Sequence, residues 1–399
     1  MARAGKRRRV LTTGRMSVGK SSLINALWGV PDALPTATRD CTQTNTLVRP
    51  PEPGEKGRTL KIRYLSADAA AKYALGGVQW WHITEFLRDV NGPFGVPFDD
   101  MPPREALRRG VEEVRTSFVK NHKFRIIHDN LEEDIEVVED LLVLIGEDEK
   151  ARPSPFPDEK AGGSRLPNEN SGKLVGEGIE KPFDERIEYL MGKRRPNGTI
   201  AGAGRIMAQE WVEALIEPVG WAGDVPEILD TPWIPAVHDT RRVDLITRAA
   251  EDADVILLVD LPRPLTVEEW LANILKKQPD RARNVIVVLN QIDTVDQDEI
   301  YVEDGFLAAV ESTRKVMQEY KIPQENLVFT TSWLAYLKGL NRTPEVETRI
   351  GKLADILAKL SKKIEGSGAS KDVISAMKAA CNPDDGGIVT LRKRIGGVQ

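Results

Sequence analysis

The sequence contains few of the residues that build disulfide scaffolds or metal clusters. Its 399 residues include two cysteines, Cys41 and Cys381, and four histidines. A disulfide framework needs several paired cysteines, and a structural zinc site needs cysteine and histidine ligands close together. The sequence therefore excludes both classes of protein and predicts a chain that resides in a reducing compartment, the cytoplasm.

Long hydrophobic runs are also missing, since no apolar stretch approaches the ~20 residues that a membrane-spanning helix needs. The first ten residues carry five basic side chains. The polar segment Thr12–Arg15 follows them, whereas a signal peptide would continue with an apolar region. We expect this basic segment to make at most a peripheral contact with acidic lipid.

The chain has no excess of basic residues. It carries 56 Lys and Arg against 61 Asp and Glu, a net charge of −5. Proteins that bind nucleic acid are usually basic, so we expect no nucleic-acid partner. Hydrophobic residues make up 41% and charged residues 29%, which indicates a globular chain with a sizeable core. The length predicts two or three structural units.

The C-terminal half alternates strand patterns with helix patterns. Val255–Val259 and Val285–Leu289 are wholly apolar, as is typical of strands buried on both faces of a parallel sheet. Helical spacing follows each run, in Glu268–Lys277 and in Phe306–Tyr320. This alternation predicts an α/β fold with a mostly parallel, doubly wound sheet.

The middle of the chain differs from both ends. Three of its segments have helical spacing: Ala67–Val90, Pro103–Lys123 and Leu131–Ile145. Gly146–Asn197 is rich in proline, glycine and charged residues, and we expect part of it to be mobile. We therefore predict an α/β domain formed by residues 1–48 and 205–399, with a helical, partly flexible insertion at residues 49–204.

The N-terminal segment contains a phosphate-binding motif. Gly14–Ser21 fits the P-loop pattern G-x-x-x-x-G-K-S and lies between a predicted strand and a predicted helix. Its glycines allow backbone N–H groups to close around phosphate oxygens. Lys20 is expected to reach the β- and γ-phosphates, and the Ser21 hydroxyl to bind Mg²⁺. The motif and its flank predict these nucleotide-binding residues: Gly14, Arg15, Met16, Ser17, Val18, Gly19, Lys20, Ser21 and Ser22.

The base is indicated by Asn290–Asp293, which resembles the N/T-K-x-D element of GTPases. In that element the Asp carboxylate, here Asp293, accepts hydrogen bonds from the guanine ring N–H and amine, and adenine lacks that pattern. Asn290 is expected to brace the loop against the P-loop. Gln291 replaces the usual lysine, so we expect reduced affinity rather than lost specificity. The alternative is an ordinary Asp that caps the next helix.

The segment Ile228–Trp233 resembles the D-x-x-G switch of the same proteins. Asp230 would hold Mg²⁺ through a water molecule. Trp233 stands where the family has glycine, and tryptophan does not easily adopt positive φ, so the switch is expected to move differently. The alternative for Asp230 is an ordinary turn residue after a strand.

Together these segments resemble the dynamin-like large GTPases. The resemblance rests on the P-loop followed by Leu-Ile-Asn-Ala-Leu and a threonine-rich loop, and on Ala253–Val259 followed by Pro-Leu-Thr. Val328–Ser332 fits the last base-contacting loop, which implicates Ser332, and Gly387–Ile395 fits the helix that closes the domain. It covers residues 8–48 and 209–335 and implies a P-loop GTPase fold.

The resemblance implies further roles. Thr42 would complete the Mg²⁺ coordination and orient the attacking water, with Thr38 or Thr44 as alternatives. Ser17 would help to hold a monovalent cation, K⁺ or Na⁺, in place of an arginine finger. Met16 replaces a family glutamine and cannot hydrogen-bond a water usefully. The catalytic set is then Ser17, Lys20 and Thr42, and the metal set is Ser21, Thr42 and Asp230.

The predicted function is Mg²⁺-dependent hydrolysis of GTP to GDP and phosphate, activated by formation of a homodimer through the nucleotide face. Arg15 is either a group that acts across this interface or a solvated arginine. The alternative is a nucleotide-gated module that binds a protein partner and hydrolyses little GTP. An ATP-specific enzyme is a weaker third reading, because Asp293 would have no role in it.

Overall fold

The computed structural model describes most of the chain. The described residues are 7–15, 17–31, 33–34, 45–55, 57–92, 98, 100–120, 131–146, 193–194, 200–201, 207–221, 223–231, 240–294, 303–340, 343–366 and 369–397.

An eight-stranded sheet forms the centre of the described structure. Its strands, together with the short hairpin of β4 and β5, are β1 (Arg9–Thr13), β2 (Thr46–Arg49), β3 (Thr59–Tyr64), β4 (Lys193–Arg194), β5 (Ile200–Ala201), β6 (Gln209–Leu215), β7 (Glu227–Asp230), β8 (Val255–Asp260), β9 (Val285–Asn290) and β10 (Leu327–Thr330). The order is β10-β9-β8-β1-β7-β2-β6-β3. The pairs from β10 to β7 are parallel, as is β2 with β6, whereas β2 with β7 and β3 with β6 are antiparallel. The predicted fold class, α/β with a mostly parallel sheet, is confirmed.

The described part of the chain also contains α-helices, which are numbered here in chain order. They are α1 (Lys20–Trp28), α2 (Ala67–Leu75), α3 (Val78–Asn91), α4 (Pro103–Lys120), α5 (Leu131–Gly146), α6 (Thr240–Asp252), α7 (Glu269–Lys277), α8 (Glu303–Glu319), α9 (Ser332–Gly339), α10 (Pro344–Gly366), α11 (Lys371–Ala380) and α12 (Ile388–Gly397). No helix in the described part of the chain is long and apolar enough to cross a membrane.

The sheet is covered on both faces because its central strands are apolar throughout. Side chains alternate along a strand, so Ile256 and Leu258 of β8 join one core while Val255, Leu257 and Val259 join the other. All six residues of β8 and of β9 are buried. Each buried large aliphatic side chain contributes about 1.5–3 kcal/mol relative to exposure, and the doubly covered sheet results.

The helices α2–α5 follow β3 and precede β6 in the sequence, and they form a separate cluster. They share a core that includes Ile83, Phe86 and Leu107, each fully buried. Trp80 is 8% exposed and packs on Phe98 with the ring centroids 5.2 Å apart. This tryptophan therefore contributes to packing in the helical cluster.

The alternating pattern of Leu60–Leu65 predicts a strand, and β3 (Thr59–Tyr64) lies there. Two features of this region were not predicted: the division of one helical segment and the place of β3 in the main sheet. The helical pattern of Ala67–Val90 is divided into α2 and α3 at Gly76 and Gly77. β3 lies inside the segment 49–204 yet forms an edge of the main sheet, and the backbone N–H of Leu65 donates to Ala208 at 2.9 Å. The boundaries at residues 48 and 205 stay a prediction.

Candidate functional site

The P-loop starts where β1 ends, at the carboxyl edge of the sheet between β7 and β8. Gly14 has φ +146°, and a Cβ there would lie 1.9 Å from the Val259 carbonyl oxygen. Gly19 has φ +82° and Ser17 has φ +59°. Only glycine fits the first position, because the loop passes directly over the end of β8.

The amino group of Lys20 folds back over this loop. Lys20 is 8% exposed, and its Nζ donates to the carbonyl oxygens of Gly14 and Arg15, each at 2.9 Å. A cation is thereby held above a ring of backbone groups at the N-terminus of α1, where the helix dipole is positive. The arrangement suits phosphate oxygens.

A hydroxyl and a carboxylate meet beside this helix. Because β1 and β7 are parallel neighbours, the start of α1 and the end of β7 are close, and Ser21 Oγ donates to Asp230 Oδ2 at 2.8 Å. Asp230 is 1% exposed. Mg²⁺ prefers hard oxygen ligands and keeps several waters, so this pair fits the ion together with nucleotide phosphates.

The described residues do not form a metal site made only of protein side chains. Within the described residues no group of three or more His, Cys, Asp or Glu side chains is placed to hold a metal ion. The Ser21–Asp230 pair needs no third protein ligand, because water and phosphate oxygens complete the coordination shell of Mg²⁺ in such sites.

Asn290, at the end of β9, connects three segments. Its Nδ2 donates to the Val18 carbonyl at 2.9 Å, and its Oδ1 accepts from Thr330 Oγ1 at 2.9 Å and from the Ser332 backbone N–H at 3.2 Å. The expected brace between this loop and the P-loop is present. Gln291, with φ +59°, adds a hydrogen bond from Nε2 to the Ser17 carbonyl at 3.3 Å.

Asp293 follows in the same loop. It is 5% exposed, and its Oδ1 has no hydrogen-bond partner among the described residues. Burial raises the pKa of this carboxyl, and a hydrogen bond from its own backbone N–H lowers it by a smaller amount. A buried acceptor of this kind carries a cost of about 1–3 kcal/mol that a donor from a ligand would remove.

The segment after β10 closes the site from the other side. Ser332 is 1% exposed, and its Oγ lies 3.7 Å from the place where a Gly19 Cβ would stand. The P-loop, Asp230, the Asn290–Asp293 loop and Ser332 are thus brought to one edge of the sheet. Met16, Thr42 with its alternatives Thr38 and Thr44, and Trp233 lie outside the described residues, and their roles stay predictions.

The sequence analysis did not identify Asp260, the last residue of β8. Asp260 is 2% exposed, and its Oδ1 accepts from the Leu261 N–H at 2.9 Å and from Arg263 Nε at 3.1 Å. Its Oδ2 lies 3.9 Å from Arg15 Nε. The available signal was an acidic residue that ends a wholly apolar strand, and such a carboxylate lies at the ligand-binding edge of a parallel sheet.

Comparison with known proteins gives a fold likeness only. No protein-family model and no curated protein matches the chain. The chain is similar to solved structures of an oligomerised bacterial dynamin pair described as a mechanism for long-range sensing and tethering of membranes. One has a TM-score of 0.42 and 14% identity, covering 97% of this chain and 42% of its own length. Another has a TM-score of 0.41 and 13% identity, covering 95% and 48%. The chain spans less than half of those proteins.

Proposed function

We propose that the protein is a dynamin-like GTPase that binds GTP with Mg²⁺ and hydrolyses it to GDP and phosphate. The observation that carries the proposal is the position of Asn290. Its amide joins the P-loop carbonyl of Val18 to the segment of Ser332, and the buried Asp293 follows three residues later. These hydrogen bonds support the proposal, in which the P-loop binds the phosphates and Asp293 accepts from guanine.

The reaction needs few groups from the protein. The oxygen of a water attacks the γ-phosphorus, the bond between that phosphorus and the β–γ bridging oxygen breaks, and the water protons pass to the phosphate and solvent. Lys20 and the P-loop N–H groups hold the phosphate charge. Mg²⁺, held through Ser21 and Asp230, would neutralise charge on the β- and γ-oxygens. Thr42 is proposed to orient the water.

Self-association and other partners belong to the proposal as well. Met16 and Trp233 replace residues that the family uses in catalysis, so we propose that a homodimer through the nucleotide face supplies missing groups. A protein partner of the helical cluster α2–α5 is part of the same proposal. The proposal also includes monovalent-cation binding at Ser17 and peripheral membrane contact.

The central experiment measures phosphate release from GTP and ATP with Mg²⁺, over a range of protein concentration. Lys20→Ala is the control that removes the phosphate cation. We expect GTP turnover that rises with protein concentration, is absent with ATP and vanishes in Lys20→Ala. Equal turnover of ATP would contradict the guanine assignment, and full activity of Lys20→Ala would show that another protein in the sample is responsible.

Base recognition has a sharper test in Asp293→Asn. Asparagine offers a donor where the carboxylate offers only acceptors, and xanthine carries a carbonyl where guanine carries its amine. We expect Asp293→Asn to lose GTP affinity and to gain affinity for xanthosine triphosphate. A variant that still prefers GTP would show that Asp293 does not contact the base.

The second candidate function is a nucleotide-gated binding module. It is favoured by Gln291, whose side chain donates to the P-loop carbonyl of Ser17. A residue engaged in this way braces the P-loop and offers no charge to the nucleotide. Tight GTP binding without phosphate release in the same assay would select this candidate.

A further inference from the structure

The carboxyl end of β8 holds a charged cluster next to the P-loop. Asp260 is buried at 2% exposure, and three groups lie around it: the Leu261 N–H and Arg263 Nε, which donate hydrogen bonds, and Arg15 Nε, which is a charge contact. β8 pairs directly with β1, so the carboxylate stands beside the first residues of the P-loop. A buried carboxylate needs such partners, because burial of an unpaired charge costs several kcal/mol.

These three groups do not hold Asp260 equally. Arg263 and the Leu261 N–H bind Oδ1 at 3.1 and 2.9 Å, so the carboxylate is fixed without help from the P-loop. Arg15 approaches Oδ2 through Nε at 3.9 Å. This is a charge contact rather than a hydrogen bond. Asp260 is thus a fixed anion toward which the Arg15 side chain is drawn.

The terminal nitrogens of Arg15 are the informative feature. Its side chain is 32% exposed. Within the described residues it makes no hydrogen bond and no ion pair apart from the contact with Asp260. The carbonyl of the same residue accepts from Lys20 Nζ at 2.9 Å. A guanidinium whose Nε faces a fixed carboxylate keeps its two Nη groups available as a planar pair of donors.

A second acid strengthens this position. Glu268 precedes α7, and its pKa is raised chiefly by burial and also by the charge of Asp260, while the charge of Arg15 acts in the opposite direction. Arg15 therefore lies within electrostatic reach of two acidic groups. It is held on the Asp260 side of the loop rather than free in solvent.

We propose that Arg15 is a catalytic residue in cis and that Asp260 is its positioning residue. The proposal rests on the proposed GTP hydrolysis and adds to it the group that neutralises the transition state. Charge builds up on the γ-phosphoryl oxygens as the bond to GDP breaks. Lys20 supplies one cation to the phosphates, and Met16 offers no donor. The Nη groups of Arg15 supply two further donors in the bidentate geometry that matches phosphate oxygens.

The test compares four variants: Arg15→Ala, Arg15→Lys, Asp260→Asn and the double variant of Arg15→Ala with Asp260→Asn. Steady-state phosphate release at saturating GTP gives kcat, and titration with a fluorescent GTP analogue gives Kd. Arg283→Ala is the matched control, because Arg283 is an exposed arginine that precedes β9 at the opposite edge of the sheet. Thermal melting of each variant reports whether the fold is retained.

We expect Arg15→Ala to lower kcat about 100-fold, as for the loss of one preorganised donor site, with Kd changed less than about threefold. Arg15→Lys is expected to recover part of this loss, because it keeps the charge without the fork. Asp260→Asn is expected to lower kcat about tenfold. The double variant should be no slower than Arg15→Ala alone, because Asp260 acts through Arg15. Added guanidinium ion should raise the kcat of Arg15→Ala and leave Arg283→Ala unchanged.

Four outcomes would overturn this proposal while the proposed GTP hydrolysis stands. The first is an Arg15→Ala kcat within about threefold of wild type, and the second is a loss of GTP affinity in Arg15→Ala as large as its loss of kcat. The third is additive effects in the double variant. The fourth is restored turnover when Arg15→Ala is mixed with Lys20→Ala. The last would show that Arg15 acts in trans, because Lys20→Ala carries Arg15 but no phosphate cation. A wild-type protein that binds GTP and releases no phosphate would remove the catalytic role of Arg15 but keep nucleotide binding. A failure of proposed function and a failure of this inference are thereby distinguished.

Discussion

Replacing Arg392 with alanine is expected to lower the free energy of unfolding by about 3.5–4 kcal/mol, because it removes the hydrogen bonds that join α12 to the P-loop helix α1 and to Val219 and Gly220. The guanidinium of Arg392 donates to the carbonyl oxygens of Leu27 at 2.9 Å and Ala26 at 3.3 Å, in the last turn of α1. It also donates to Val219 at 3.0 Å and Gly220 at 2.5 Å.

The magnitude follows from which carbonyls keep another partner. Ala26 also accepts from the Gly29 N–H, and Leu27 from Trp221 Nε1, so these two lose little. The carbonyls of Val219 and Gly220 lose a charged donor. Such bonds are worth about 1.5–3 kcal/mol each, and the lower figure applies where water has access. The contact of the guanidinium with the Trp221 ring, 5.3 Å from its centroid, adds about 0.5–1 kcal/mol.

The assay is thermal and urea unfolding followed by circular dichroism. A loss of about 3.5–4 kcal/mol corresponds to roughly 7–16 °C in Tm for a cooperative unit of about 200 residues. Arg392→Lys should keep about half of the stabilisation. Lys393→Ala, an exposed neighbour on the same helix, is the matched control and should change stability by less than about 0.5 kcal/mol. An Arg392→Ala protein that melts within about 1 °C of wild type would refute the reasoning, because it would show that water replaces the guanidinium at no cost.

Three further predictions concern the P-loop, pH and a thiol. Gly19→Ala should weaken GTP binding at least about tenfold, since its Cβ would lie 2.6 Å from Asn290 Nδ2. The control is Gly223→Ala, which has a similar φ of +84° and open space around its Cβ, so it should cost only about 1 kcal/mol of stability. Equal effects of the two variants on GTP binding would contradict the role of the contact with Asn290. Hydrogen bonds from Arg49, chiefly, together with Lys61 and the Glu52 N–H hold the pKa of Glu55 well below its usual 4.5, so Glu55 contributes stability above pH 4.5 that is lost as the pH falls below it. The difference in unfolding free energy between wild type and Glu55→Gln, measured in urea at pH 7, 5 and 3, should be smaller at pH 3 than at the two higher values without vanishing, because the folded carboxyl titrates well below its usual range, and a constant difference would count against the linkage. Burial raises the pKa of Cys381 to about 11 from 9.0, so in a Cys41→Ser background native Cys381 should react with a thiol reagent at pH 8 at least about 100-fold more slowly than in urea, and comparable rates would show that the thiol is accessible.

Local features of the sequence were sufficient for several elements. The apolar runs that became β8 and β9 could be predicted because a strand buried on both faces has no polar residue to place. The start of α1 followed from Gly19 and Lys20, since the P-loop pattern specifies the conformation of the backbone around it. By contrast, β2 and α9 were not predicted. β2 is a four-residue strand after a threonine-rich segment, and the pairing with β6 and β7 selects its conformation.

Within the candidate site, the sequence identified groups and the tertiary structure joined them. Ser21 and Asp230 were each assigned to the metal, and their contact at 2.8 Å exists only because β1 and β7 are neighbours in the sheet. Asn290 was expected to brace the P-loop, and the hydrogen bond to Val18 has this geometry. The sequence offered no reason to link Asp260 with Arg15, because 245 positions separate them and only the pairing of β1 with β8 brings them together.

The sequence by itself determined which residue types are available in the candidate site. The spacing of glycine, lysine and serine in Gly14–Ser21, and of Asn290 and Asp293, is a property of short segments, whose side chains and backbone preferences act over a few residues. The tertiary structure decided the order of the strands, the edge position of β3 and the hydrogen bonds from Arg392 to α1. These features depend on hydrogen bonds and packing between distant segments, and their free energy is gained only when the whole sheet has assembled.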